Sequence, residues 1–159
     1  MLDIAATAVA ALAERGLTVG TCESLTGGMI CSALVDVPGA SAVVRGGLIT
    51  YQTDTKTLLV GVDAALIEAY GVVSAEVARA MAEGVRTRLG VDIAVSATGM
   101  ASPGGAGDPP AGTVYVGVAS MKGVRAIPLQ LAGSRAEVRL QTVEAAIQAI
   151  ITEAKETQV

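Results

Sequence analysis

The chain has 159 residues, of which 52% are hydrophobic and 16% are charged, with a formal net charge of −4 and no histidine. Such a composition lies outside the disordered class, and the length suits one domain with a full core. The missing histidine excludes Ser-His, Cys-His and histidine-ligated metal sites, while the acidic balance and scarce aromatic residues argue against a nucleic-acid binder.

The first half of the chain alternates between helical periodicity and short apolar runs. It predicts, in order, a helix of about 13 residues ending at Gly16, a strand over 17–21, a helix over 26–35 and a strand within 43–51. Thr53 or Asp54 can then cap a short helix that includes Lys56.

The second half predicts three more helices and three more strands. They are a helix over 63–70, a helix from a cap at Ser74 to Gly90, strands over 91–97, 113–119 and 123–131, and a last helix from a cap at Ser134 to about Lys155. Pro128 indicates that the third of these strands lies at an edge or carries a bulge. The order predicts one α/β domain over 1–159, with a mixed sheet and helices on both faces.

Ser24 follows the first predicted strand, in the segment Glu23-Ser24-Leu25-Thr26-Gly27-Gly28. At a turn from strand to helix, free N–H groups can hold an oxyanion or a phosphate, so the segment is a candidate nucleophile turn, anion-binding turn, or both. Alternatively, Thr26 only caps the next helix and the glycines only permit close packing. The segment is neither a P-loop nor a Gly-x-Ser-x-Gly elbow nor a Ser-x-x-Lys motif.

Because histidine is absent, a lysine or a tyrosine must take the proton of Ser24 if this serine is a nucleophile. Tyr51 and Lys56 lie five residues apart at a predicted strand-to-helix corner. Burial would lower the pKa of Lys56 from its usual ~10.4, and Tyr51 could relay the proton instead, so the sequence leaves the base unassigned. A core tyrosine and a solvated lysine are the alternative. Cys22 is a second candidate nucleophile, without a clear cationic neighbour.

The long irregular segment over 98–112 contains Ser102, Gly104 and Gly105 and little side-chain bulk. Its backbone N–H groups could line a site for carbonyl or phosphate oxygens, although a flexible tip is the alternative. No carboxylate cluster indicates a metal site, and we expect neither a metal nor an organic cofactor.

The two cysteines, Cys22 and Cys31, are too few for a disulfide scaffold and predict reduced, buried thiols. The N-terminal apolar stretch lacks a basic region and is interrupted by Asp3 and Glu14, and no run approaches a membrane span. We therefore expect a soluble, cytoplasmic protein that contacts neither membrane nor nucleic acid. The apolar content makes a homo-oligomer, such as a dimer, the expected assembly.

An ordered series of short motifs carries a family resemblance. The motifs are Glu23-Ser24-x-Thr26-Gly27-Gly28, Gly46-Gly47-x-x-Thr50-Tyr51-x-x-x-x-Lys56, Gly71-Val72-Val73-Ser74, Gly99 with Pro103-Gly104-Gly105, and Gly112-Thr113-Val114. Over approximately residues 3–155, the chain resembles the C-terminal domain of the competence/damage-inducible protein CinA, the nicotinamide-nucleotide amidohydrolase (PncC) family. The resemblance implies a three-layer α/β/α domain that hydrolyses nicotinamide mononucleotide to nicotinate mononucleotide and ammonia.

Carried over residue by residue, the resemblance implies a catalytic set of Ser24, Tyr51 and Lys56. The residues expected to bind the nucleotide substrate are Glu23, Thr26, Gly27, Gly28, Gly99, Gly104 and Gly105. Of these, the N–H groups of residues 26–28, with those of Gly104 and Gly105, would hold the oxyanion or the phosphate.

Three positions depart from the family pattern. Ser102 replaces a glycine of the usual Gly-x-Ala-Gly-Pro, Leu25 stands where many relatives have cysteine, and Ser134 replaces a common acidic residue. The change at Ser102 could alter how the loop holds substrate. It keeps open a catalytically silent nucleotide-binding module, and the family name keeps open an interaction domain in competence or damage repair.

Overall fold

Residues 2–157, which the computed structural model describes, form six α-helices and five β-strands. The helices are α1 (Leu2–Ala13), α2 (Met29–Val35), α3 (Thr53–Val60), α4 (Ala64–Tyr70), α5 (Ala75–Leu89) and α6 (Arg135–Glu156). The strands are β1 (Val19–Glu23), β2 (Val44–Ile49), β3 (Ile93–Gly99), β4 (Thr113–Ser120) and β5 (Gly123–Gln130). The predicted domain limits, residues 1 and 159, lie outside the described residues.

The five strands form one sheet in the order β2-β1-β3-β4-β5. β1 pairs in parallel with β2 and β3, whereas β4 and β5 add in antiparallel fashion as a hairpin, so the predicted mixed sheet is confirmed. β5 lies at the edge, where Pro128 removes no ladder hydrogen bond that the sheet needs. Because the chain leaves β1 for β2 on one side and then returns to β3 on the other, the carboxyl end of β1 is a topological switch point.

Helices cover both faces of the sheet, which confirms the predicted three-layer α/β/α fold. α1, α2 and α6 pack on one face, and α3, α4 and α5 on the other. With no Phe or Trp available, Val, Ala, Leu and Ile fill both core layers. Small residues allow close approach: a Cβ at Gly117 of β4 would lie 2.1 Å from the carbonyl oxygen of Ala78 in α5. None of the described helices combines the length and the apolar character that a bilayer span requires.

Three boundaries near the switch point differ from the sequence-based predictions. β3 runs over Ile93–Gly99 instead of 91–97. β1 runs over Val19–Glu23 instead of 17–21, because its last residue is a carboxylate buried inside the protein. α2 begins at Met29 and not at Thr26, because Gly27 and Gly28 adopt φ of +60° and +99°, which a right-handed helix excludes.

The predicted cap of α3 is also wrong by one or two residues. Gln52, with an extended backbone at φ −75° and ψ 152°, precedes the helix, so Thr53 and Asp54 already lie in its first turn. The caps predicted at Ser74 and Ser134 are confirmed, and the second forms a capping box with Glu137.

Candidate functional site

A pocket of about 320 Å³ opens where the parallel strands end, in the size range of small-molecule sites. β1, β2 and β3 all point their carboxyl ends at it, which is where open α/β sheets bind ligands. Its lining combines apolar side chains with a few polar groups and contains no carboxylate. The lining residues are Ser24, Leu25, Tyr51, Thr53, Lys56, Val72, Val73, Thr98, Gly99, Met100, Ala101, Ser102, Pro103 and Arg135.

Ser24 is the first residue after β1 and lies half-buried at the pocket. Its backbone N–H donates to the carbonyl oxygen of Ala97 at 3.0 Å, so the pairing of β1 with β3 extends to this residue. The serine hydroxyl is therefore fixed at the end of a central strand.

Lys56 lies one turn inside α3, and its side chain is fully buried. Helical side chains lean toward the N-terminus of their helix, which directs this lysine back to the start of α3. There its Nζ donates to the carbonyl oxygen of Thr50 at 2.6 Å and to Ser24 Oγ at 3.2 Å. Of the two candidate bases, Lys56 is thus the one in contact with the serine.

The surroundings of Lys56 disfavour its charged form relative to a lysine in water. Burial lowers the pKa of Lys56 from its ordinary value, and the nearby thiol of Cys22 acts weakly in the opposite direction. Within residues 2–157, no carboxylate oxygen lies within 4 Å of its Nζ. A buried amine without a counter-ion is suited to accept a proton from a neighbouring hydroxyl.

Tyr51 lines the pocket but is 57% exposed, and its hydroxyl accepts a hydrogen bond from Arg135 Nη2 at 3.2 Å. Arg135 also reaches Ser102 Oγ at 3.5 Å, so it closes a polar rim around the mouth of the pocket. The sequence-based site missed this arginine. One feature of the sequence could have indicated it. A positive side chain in the first turn of α6 interacts unfavourably with the helix dipole, which suggests that Arg135 is there for a functional reason.

Glu23 was predicted to contact the substrate, but in the structure it has a structural role. It is 1% exposed and does not line the pocket. Its carboxylate accepts hydrogen bonds from the N–H groups of Gly28, Ile30 and Cys31 at 2.9–3.0 Å and from Thr21 Oγ1. Because Gly28 at the start of α2 has no side chain, Glu23 takes the place of the missing N-cap.

The N–H groups after Ser24 divide into occupied and open donors. Those of Gly27 and Gly28 donate to Ser24 O and to Glu23, so they are not available for an oxyanion as predicted. Within the described chain, the N–H groups of Leu25 and Thr26 have no acceptor, but only Leu25 lines the pocket, because Thr26 is fully buried outside it. Nor does Thr26 cap α2, since its buried Oγ1 lacks a partner in the same part of the chain.

The loop over 100–112 contributes only its first part to the pocket. Gly99 lines the pocket, but Gly104 and Gly105 lie beyond the lining residues. Gly105 N–H donates to Asp108 Oδ2 at 2.7 Å, and Asp108 N–H donates to the carbonyl oxygen of Gly105. The paired glycines therefore form an internal turn, and Gly105 N–H is not a free anion donor as predicted.

Cys22 does not compete with Ser24 as a nucleophile in this arrangement. It is fully buried, it does not line the pocket, and burial raises its pKa to about 11. A thiol with such a pKa stays protonated near neutral pH, whereas the reactive form is the thiolate. Among residues 2–157, no three His, Cys, Asp or Glu side chains gather as metal ligands would.

The fold and the site together define a three-layer α/β/α domain with a serine–lysine pair at the switch point of its sheet. Residues 1–154 match the family model described as the CinA C-terminal domain. The chain therefore belongs to the CinA C-terminal domain family, and the predicted resemblance is confirmed.

Some relatives in this family are longer than the chain. A CinA-like protein from Chlorobium limicola is 46% identical over 142 residues, which cover 86% of this chain and 33% of the relative. Another CinA-like protein, from Gemmatimonas aurantiaca, is 45% identical over 146 residues, covering 91% of this chain and 34% of the relative. The chain thus spans about a third of the length of these relatives.

Solved structures with the same fold are similar over almost their whole length. The competence/damage inducible protein CihA from Agrobacterium tumefaciens superposes with a TM-score of 0.91 at 35% identity, covering 95% of this chain and 93% of its own. A competence-damaged protein (CinA) superfamily protein from Klebsiella pneumoniae gives a TM-score of 0.94 at 27% identity, covering 98% of each chain.

The capping role of Glu23 leads to a stability prediction. Glu23→Ala leaves three helix N–H groups without their acceptor and should lower the free energy of unfolding by about 2–4 kcal/mol, since each orphaned buried donor costs roughly 1–3 kcal/mol before water relieves it. Glu144→Ala, an exposed change on α6, is the control and should stay within about 0.5 kcal/mol. Urea unfolding measures both. Unchanged stability together with a raised KM would return Glu23 to substrate binding.

Proposed function

We propose that this domain is an amidohydrolase that converts nicotinamide mononucleotide to nicotinate mononucleotide and ammonia. The observation that carries the proposal is the contact between Lys56 and Ser24. A fully buried lysine without a carboxylate partner donates to a serine hydroxyl in a pocket at the switch point. Burying an amine in this way is unfavourable for stability, so a chemical role is the reason to keep it.

In the proposed first step, neutral Lys56 takes the proton of Ser24 Oγ as this oxygen attacks the carboxamide carbon. The C–N bond then breaks, and the lysine passes the proton to the leaving nitrogen, which departs as ammonia. A water molecule attacks the resulting ester at the same carbon and gives its proton to Lys56. Breaking the ester bond returns the proton to Ser24 and releases nicotinate mononucleotide.

The N–H group of Leu25, which lines the pocket and has no acceptor within the described chain, is the proposed oxyanion donor. It follows the nucleophile directly, as the donor does in other strand-to-helix nucleophile turns. Charge develops on the carbonyl oxygen only in the tetrahedral state, so fixed backbone donors at this position stabilise the transition state more than the substrate.

Arg135 is the proposed contact for the 5′-phosphate. It lies at the mouth of a pocket without carboxylates, and it is exposed on its outer side, where a phosphate would remain partly solvated. Tyr51 and Ser102 hold its guanidinium by hydrogen bonds. In this arrangement Tyr51 acts at the mouth of the pocket and Lys56 is the base. The apolar walls formed by Leu25, Val72 and Val73 suit a flat pyridine ring.

Variants of the serine–lysine pair test the mechanism. Ser24→Ala and Lys56→Met should each lower kcat for ammonia release by roughly 10³-fold or more, and the double variant should be no worse than the poorer single one, because the two groups act as a unit. Lys155→Met, at an exposed lysine, is the matched control and should keep full activity.

Stability separates a catalytic from a structural role of Lys56. Its pKa is lowered in the folded state, so the unfolded chain binds more protons between that pKa and 10.5, and the burial destabilises the protein at neutral pH. Lys56→Met should therefore unfold at a temperature equal to or above that of wild type.

Activity of Lys56→Met within tenfold of wild type would remove Lys56 from the mechanism. Tight substrate binding by wild type without ammonia release would favour the silent binding module.

Substrate comparison tests the assignment of Arg135. Arg135→Gln should lower kcat/KM for nicotinamide mononucleotide by about 10- to 100-fold, the equivalent of one charge-assisted contact, and should leave that for nicotinamide riboside unchanged. Arg45→Gln, on the exposed edge strand β2, is the control and should alter neither value. An equal loss for both compounds would assign Arg135 to something other than the phosphate.

A further inference from the structure

Gly99 is the last residue of β3, and it lies half-buried among the residues that line the pocket. The direction of its N–H follows from the sheet, because successive N–H groups of a strand point to opposite edges. Ile93 N–H donates to the carbonyl oxygen of Thr18 on the β1 side, whereas Met100 N–H donates to that of Thr113 on the β4 side. Gly99 lies six residues after Ile93 and one before Met100, so its N–H points to the edge where β1 lies.

At this level β1 no longer offers an acceptor. Ser24 N–H still donates to the carbonyl oxygen of Ala97, so the next bond of a parallel ladder would run from Gly99 N–H to Ser24 O. Ser24 O instead accepts from Gly27 N–H at 3.1 Å. Within residues 2–157, Gly99 N–H has no acceptor. It is therefore an open donor in the pocket wall, directed at the place where the chain leaves β1 through the nucleophile.

This position brings the donor to the reacting atoms of the proposed mechanism. In the tetrahedral state the attacked carbon is bonded to Ser24 Oγ, so its oxyanion forms within a few ångströms of this residue. Leu25 N–H opens to the pocket on the chain that follows the serine, and Gly99 N–H opens to it from the neighbouring strand. Other strand-to-helix nucleophile turns also combine the N–H after the nucleophile with a second N–H from another segment.

We propose that Gly99 N–H is the second oxyanion donor, which acts together with Leu25 N–H. The inference rests on the proposed function, because it concerns the tetrahedral state formed on Ser24. It gives Gly99 a catalytic role, whereas a contact made equally with substrate and transition state would act on KM alone. Loss of the Gly99 N–H should therefore lower kcat and leave KM nearly unchanged.

The test removes the N–H without adding a side chain. A Cβ at Gly99 would lie 2.7 Å from Val114 Cγ2 and 2.8 Å from the carbonyl oxygen of Thr113, so Gly99→Ala would disturb the pairing of β3 with β4. Instead, incorporation of glycolic acid replaces the peptide bond before Gly99 by an ester. The control is the same ester before Gly39, an exposed residue outside the pocket lining whose N–H has no acceptor within the described chain.

For the ester at Gly99, kcat for ammonia release from nicotinamide mononucleotide should fall on the order of 10²-fold, with KM within about threefold of wild type. The ester at Gly39 should keep both wild-type values. Thermal unfolding of each variant gives the folded fraction, because an ester also weakens the preceding carbonyl oxygen as an acceptor. A folded Gly99 ester with wild-type kcat, or with a loss confined to KM, overturns the inference.

A second readout uses the unmodified chain and remains informative if the ester variant does not fold. An alkyl fluorophosphonate forms a bond from Ser24 Oγ to phosphorus and releases fluoride, while Lys56 takes the serine proton. Its phosphoryl oxygen then occupies the position of the oxyanion. In protein labelled with ¹⁵N-glycine, the Gly99 amide proton should move downfield on this reaction, whereas that of Gly39 should not, and Ser24→Ala is the blank. A Gly99 amide proton that stays in place after Ser24 has reacted overturns the inference.

The two proposals fail in different ways. A reacted Ser24 with a shifted Gly99 amide proton, but without ammonia release from nicotinamide mononucleotide, supports the donor and overturns the proposed substrate. Absence of both the reaction at Ser24 and ammonia release in the wild-type protein overturns the proposed function, and the inference with it.

Discussion

The contact between Lys56 Nζ and Ser24 Oγ is the constraint on which the rest of the site depends. It requires an amine inside the protein, where burial lowers its pKa, and a serine held at the end of a central strand. The helix α3 supplies the first condition by directing the lysine back to its own N-terminus. The sheet supplies the second, because the backbone of Ser24 still pairs with β3. Neither group would be placed correctly by its own local sequence alone.

Two charged side chains hold the turn after Ser24 from opposite directions along the chain. Glu23 precedes the serine and binds the N–H groups at the start of α2, while Arg139 comes from α6 and binds carbonyl groups of the same turn. Together they bind most of the polar backbone groups in this segment and leave the N–H group of Leu25, which lines the pocket, without an acceptor within the described chain. A free donor beside a nucleophile is what an oxyanion site requires.

The fold was largely predictable because apolar periodicity, glycines and caps such as Ser74 and Ser134 act locally. The start of α2 was not, since the buried carboxylate of Glu23 replaces the cap that Thr26 was expected to supply. The site was predictable where one short motif contains both candidate residues, as it does for Tyr51 and Lys56 after the end of β2.

Arg135 and Arg139 were missed for a physical reason. Their partners lie between 33 and 114 residues away in the chain, and only the packing of α6 against the sheet brings the two arginines to the pocket and to the turn.

The most direct test of the proposed mechanism is the pH dependence of kcat/KM for nicotinamide mononucleotide, measured on the wild type and on Lys56→Met. A neutral lysine as base predicts a rise with pH to a plateau, with an apparent pKa below 10.5 that is absent from the residual activity of the variant. A profile that falls with pH, or a rising limb that Lys56→Met retains, would contradict it.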